Sequence, residues 1–159
     1  MLPCTTTRGR TYANSIGIGL SGHTHVSNVD IAGYSEGIRA GGSANYIIGG
    51  RIEGCGKGIN LGLNAAGTSV NWGGFIGGIS MEANDYGIHV LKGNGVIAGV
   101  SILGSANSPS VGSITGILTY TRNAGLTFIS CSTTGAHTNI LEVQNGATSD
   151  QTTFLGCDA

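Results

Sequence analysis

Two short motifs recur through this chain in a fixed order, and that recurrence constrains its fold more than any other feature. The first has the form apolar-x-x-apolar-x-apolar. It aligns at Val26/Val29/Ile31, Ile47/Gly50/Ile52, Ile76/Ile79/Met81, Ile97/Val100/Ile102, Leu126/Ile129/Cys131 and Thr152/Leu155/Cys157, in steps of 21, 29, 21, 29 and 26 residues. The second is a glycine–isoleucine pair between the copies: Gly37-Ile38, Gly58-Ile59, Gly87-Ile88, Gly116-Ile117 and, with asparagine for glycine, Asn139-Ile140. Gly17-Ile18 precedes them all as a partial leading copy. From the third apolar position to the next marker glycine the distance is 6 residues at 31, 52 and 81. Such a period, with short β-branched runs, predicts a solenoid whose coils each cover a neighbour's apolar edge. Strands of three to five residues joined by glycine and asparagine corners make it all-β, a single-stranded parallel β-helix of about six coils. The glycines are expected to supply positive φ angles at the corners.

Composition agrees. The chain has 159 residues, one domain's worth, and 30 are glycine while only 2 are proline. That excludes a proline-rich linker, and the glycines lack the strict every-third spacing of collagen. Charged residues are 9% against about 25% in an ordinary soluble domain. A net charge of −1 without a lysine or arginine cluster argues against a nucleic-acid partner or an anionic membrane surface. No apolar run approaches the ~18 residues of a membrane span, and the first residues lack the apolar core of a signal peptide. Residues 1–159 read as one β-helical domain, itself a candidate segment of a longer or multi-chain helix. Loop insertions fall at about 62–73 and 104–113, projecting from the stack without disturbing its core.

The Gly-Ile and apolar-x-x-apolar-x-apolar rhythm over about residues 16 to 157 resembles the right-handed parallel β-helix of pectate-lyase-like proteins. The glycine-, serine- and asparagine-rich, charge-poor coils look most like bacteriophage tailspikes and related polysaccharide depolymerases. That resemblance implies right-handed winding, a parallel homotrimer, a place on a virion tail or outside the cell, and a bacterial surface polysaccharide as partner. It rests on the repeat and carries no catalytic signature.

Stacking the copies turns the alignment into columns. Positions flanking the third apolar residue point outward, because side chains alternate along a strand. Glu53 and Glu82 then become neighbours about 5 Å apart, with Arg51 and Asp30 on the same outer face. Two carboxylates so placed fit the acid and nucleophile of a retaining glycosidase, which stand ~5–5.5 Å apart. Arg51 would grip a sugar carboxylate in a forked contact, and Asp85 would join the patch. The competing reading is an ordinary solvated charged surface. Trp72, the one tryptophan, sits in the first insertion; its indole either offers a platform to a sugar ring or packs down to anchor the loop.

Other motifs carry less. Gly17-Ile-Gly-Leu-Ser-Gly22 matches a dinucleotide-binding pattern, but that motif needs a helix directly after it, and Val26 to Ile31 read as strand. The histidines at 23, 25, 89 and 137 show no metal-ligand spacing, and neither a metal nor a cofactor is expected. Cys131 and Cys157 share an inward position and should stack as free thiols. Asn94 and Asn123 should stack at one turn. Two functions are consistent with this pattern: a glycan-recognising module that binds, and in one form cleaves, a polysaccharide, or a rigid spacer of a viral fibre without any site. Ice binding would need a regular threonine array, which the scattered threonines do not supply.

Overall fold

The structure, a computed structural model, describes residues 14–104, 115–119, 125–134, 139–143 and 152–158. The second expected insertion, Asn123 and the segment before residue 14 lie outside them. All regular structure among the described residues is strand. In chain order the strands are β1 (Ile16–Leu20), β2 (Thr24–Ala32), β3 (Glu36–Ala40), β4 (Gly42–Glu53), β5 (Lys57–Leu61), β6 (Trp72–Glu82) and β7 (Tyr86–Val90). They continue with β8 (Gly93–Ala98), β9 (Ser101–Leu103), β10 (Thr115–Thr119), β11 (Leu126–Ile129), β12 (Ser132–Thr134), β13 (Asn139–Val143) and β14 (Thr153–Leu155). The chain visits two sheets alternately. One is six-stranded in the order β1-β3-β5-β7-β10-β13; the other, eight-stranded, holds all the remaining strands. Every strand pairing in both is parallel.

The repeat becomes columns of register partners. Ile47 pairs with Ile76 and Ile76 with Ile97; Ile52 pairs with Met81 and Met81 with Ile102. In the other sheet Ile18, Ile38, Ile59 and Ile88 line up. Most of these side chains are buried and form one apolar cluster between the sheets, to which Ile18 packs from the edge. Each fully buried isoleucine contributes about 2–3 kcal/mol through removal of its surface from water.

Glycine has two separate jobs here. One column, Asn28, Gly49, Gly78, Gly99, Ser130 and Gly156, has positive φ between 49° and 71° and bends each long strand pass into two faces. The marker glycines behave differently from expectation, because Gly17, Gly37 and Gly58 do not have positive φ. They are required for space. A Cβ on Gly37 would fall 2.6 Å from the carbonyl oxygen of Gly58 and 2.8 Å from the Ile52 side chain. Gly17 and Gly58 are confined in the same way by the carbonyls of Gly37 and Gly87.

Two register assignments are corrected. Phe128, not Leu126, is the partner of Ile97, and Thr133, not Cys131, is the partner of Ile102. The slip of two keeps each residue on its face, so Leu126 and Cys131 are still buried. Ser130, at φ 49°, takes the bend position beside Gly99, two residues later than the repeat places it. In β13 the partner of Ile117 is Leu141 rather than Ile140. The last step of 26 residues holds, since Phe128 pairs with Phe154, their rings stacked 4.9 Å apart, and Ser132 bridges Asp158. Cys131 and Cys157 are free thiols in equivalent places, their Sγ atoms donating to the carbonyls of Ile97 and Phe128. Cys131 is buried, but Cys157 only half so.

Candidate functional site

Glu53 and Glu82 are register partners at the ends of β4 and β6. Arg51 stands two residues before Glu53 on the same face, and its Nη2 lies 2.7 Å from Oε2 of Glu53 and 3.3 Å from Oε2 of Glu82. Sharing one nitrogen keeps those two carboxylate oxygens no more than about 6 Å apart, short of the ~6.5–9.5 Å of inverting glycosidases. The side chains are 52%, 42% and 41% exposed for Arg51, Glu53 and Glu82, so water screens the pairs and their worth to stability is small. Asp30 extends the group, exposed on β2 as the register partner of Arg51. Asp85 lies farther on, past the corner at Ala83, where its N–H donates to the Cys55 carbonyl and leads the chain into β7.

Trp72 corrects the expectation of a sugar platform, because it is 0% exposed. It is the first residue of β6 rather than part of the loop, between register partners Gly42 and Gly93. A Cβ on Gly93 would meet its Cε3 at 3.2 Å, and one on Gly95 its Cζ3 at 2.8 Å. Glycine at both positions makes the room that draws the indole into the core. The insertion proper, residues 62–71, is a small turn closed by a Leu63–Ser69 antiparallel bridge. The Ala65 N–H donates to Ser21 Oγ across the edge of the six-stranded sheet.

Three features lie outside the charged patch that the columns pointed to. The first is a buried polar chain along β3, β5 and β7. The Arg39 guanidinium donates to both oxygens of Glu36 at 2.7 and 2.8 Å, Asn60 Nδ2 donates to Glu36 Oε2 at 2.9 Å, and Asn60 Oδ1 lies 2.7 Å from His89 Nδ1. A carboxylate only accepts, so it takes the amide NH2, and the remaining Asn60 oxygen fixes the proton on Nδ1 of a neutral His89. Burial, then the charge of Lys57, pushes His89 down to about 3, against a smaller upward pull from Glu36. Burial alone would raise Glu36, but the hydrogen bonds from Arg39 and Asn60 and the charges of Arg39 and Lys57 outweigh it and hold the carboxyl below its ordinary value. Arg39, Asn60 and His89 each follow a Gly-Ile marker by one residue, so this column was readable.

The second is Asn84, buried at the corner before β7. Its Oδ1 accepts the Cys55 N–H at 2.8 Å and its Nδ2 donates to the Ile52 carbonyl at 3.1 Å, so it ties two strand passes together. The third is an uncharged face of the eight-stranded sheet around Tyr46 and Phe75, residues that each precede the first apolar position of their copy. Among the described residues no group of histidine, cysteine and carboxylate side chains is arranged to hold a metal ion. No protein-family model, curated protein or solved structure matches this chain.

Proposed function

We propose that this chain is a polysaccharide-recognising β-helix module of the phage-tailspike kind, wound right-handed and working outside the cell or on a virion as part of a parallel homotrimer. The observation that carries the reading is the exposed Arg51–Glu53–Glu82 group, on a parallel sheet of a chain in which only 9% of residues are charged. Alternate visits to two parallel sheets, with columns in register, support the helical winding. A guanidinium flanked by two carboxylates presents donors and acceptors side by side, which suits the hydroxyl groups of a sugar. The pairing of two carboxylates closer than the inverting spacing makes retaining cleavage the second reading. Recognition comes first because both acids are engaged by the same guanidinium nitrogen, and either would have to leave it to attack or to donate a proton.

The test is a glycan array of bacterial surface polysaccharides, probed with wild type, Arg51→Ala and the double variant Glu53→Gln/Glu82→Gln, with a reducing-end assay on each glycan retained. The expected result is retention of a small set of glycans by wild type, with affinity about tenfold weaker in both variants. Release of reducing ends by wild type but not by the double variant establishes the cleaving form. A folded wild type that retains nothing leaves the chain as a fibre spacer. Variants that bind like wild type remove the patch from the site.

A further inference from the structure

On the part of β2, β4, β6, β8, β11 and β14 that precedes the bend, alternation sends every second side chain outward. One outward column runs through Tyr46, Phe75 and Val96, the next through Ile48, Gly77 and Ala98. Tyr46 and Ile48 are 48% and 41% exposed, large for an aromatic and an aliphatic residue in mid-strand. The Phe75 ring lies across Gly77, for a Cβ there would fall 2.5 Å from Cε1 and 2.7 Å from Cζ. Glycine at 77 thus lets the ring lie flat, next to Tyr46 on the adjoining strand. Both columns hold no lysine, arginine, aspartate or glutamate among the described residues.

We infer that this face is a second subsite, which stacks the apolar faces of uncharged sugar units of the same polysaccharide whose polar groups meet Arg51. The inference rests on the polysaccharide reading above. Charge and area select the occupant. The face offers no counter-charge, so a strongly charged partner gains nothing there. Its two columns across six strands measure roughly 24 by 10 Å, about 240 Å². A stable complex with a second copy of the chain needs about 800 Å² from each partner. A narrow, extended, uncharged polymer fits both limits. Tyr46 and Arg51 lie on one strand either side of the bend at Gly49, so one glycan chain can engage both.

The experiment is affinity electrophoresis in native gels cast with dextran, galactomannan, xyloglucan or a neutral bacterial surface polysaccharide, alongside sedimentation velocity without glycan. Wild type should be retarded by at least one of these, Tyr46→Ala and Phe75→Ala roughly tenfold less, and Tyr46→Phe as much as wild type, because its ring is kept. Circular dichroism verifies that each variant is folded. Loss of retardation in Arg51→Ala with none in the aromatic variants overturns the inference while leaving the proposed function standing. Loss in the aromatic variants alone keeps the stacking face but overturns the inference that its ligand is shared with Arg51. Aromatic variants that convert an oligomer to monomer at unchanged affinity show the face to be a protein interface and overturn it. A folded wild type that no gel retards overturns it as well.

Discussion

His89 is a neutral imidazole in a place where charge is costly, and this has a thermodynamic consequence. Its folded value of about 3 lies well below the ordinary 6.5. As pH falls through 6.5 the unfolded chain takes up a proton that the folded protein refuses. Stability is therefore complete above about pH 6.5 and declines toward pH 3, with a slope of up to about 1.4 kcal/mol per pH unit. Glu36, held below its ordinary value, acts in the same direction but only below about pH 4.5, so the window between pH 6.5 and 5 separates His89 from Glu36. Urea unfolding across that window should show stability falling with pH in wild type. In His89→Gln, whose amide can still donate to Asn60, the dependence should be nearly flat. Equal slopes in the two proteins would refute the assignment.

At the scale of the strand and its corners, glycine acts through space in one column and through φ in another, and the two can be separated. Gly58→Ala would press a Cβ to 2.7 Å from the Gly87 carbonyl oxygen, against backbone that cannot yield, and should cost about 2–3 kcal/mol. Gly78→Ala, at φ 64° but with its nearest such neighbour 4.0 Å away, should cost only about 1 kcal/mol, the left-handed penalty. Thermal or urea denaturation reads both, and the reverse order would contradict this division of roles. The marker glycines show how far pattern reading reaches. Their recurrence located every strand of the six-stranded sheet, yet nothing in Gly-Ile itself distinguishes a steric need from a conformational one. Register failed at β11, whose bend residue is Ser130. With Ser130 in place of glycine, Leu126-Thr-Phe-Ile129 satisfies the repeat in two frames, and only packing of the Phe128 ring selects one. Trp72 failed for a related reason: its burial depends on Gly93 and Gly95 in the next strand, a condition invisible when the insertion is read alone.

Over the whole molecule, two parallel sheets enclose one apolar core and leave their chemistry on the outside. The pairing of Glu53 with Glu82 was legible because both follow the same repeat position. The grip of Arg51 on both acids was not, since it depends on side-chain reach. The Tyr46–Phe75 face was legible in the columns, since each residue precedes the first apolar position of its copy. The two features lie on the same strands, β4 and β6, on either side of the Gly49 and Gly78 bend, and the second-subsite inference requires them to act on one ligand. Hydrogen exchange of the folded wild type, measured with and without each member of a bacterial polysaccharide panel, addresses this most directly. Polysaccharide recognition by this sheet predicts slowed exchange with at least one member, concentrated in residues 42–53 and 72–82. Slowing confined to the six-stranded sheet, or no slowing with any member of the panel, would contradict it.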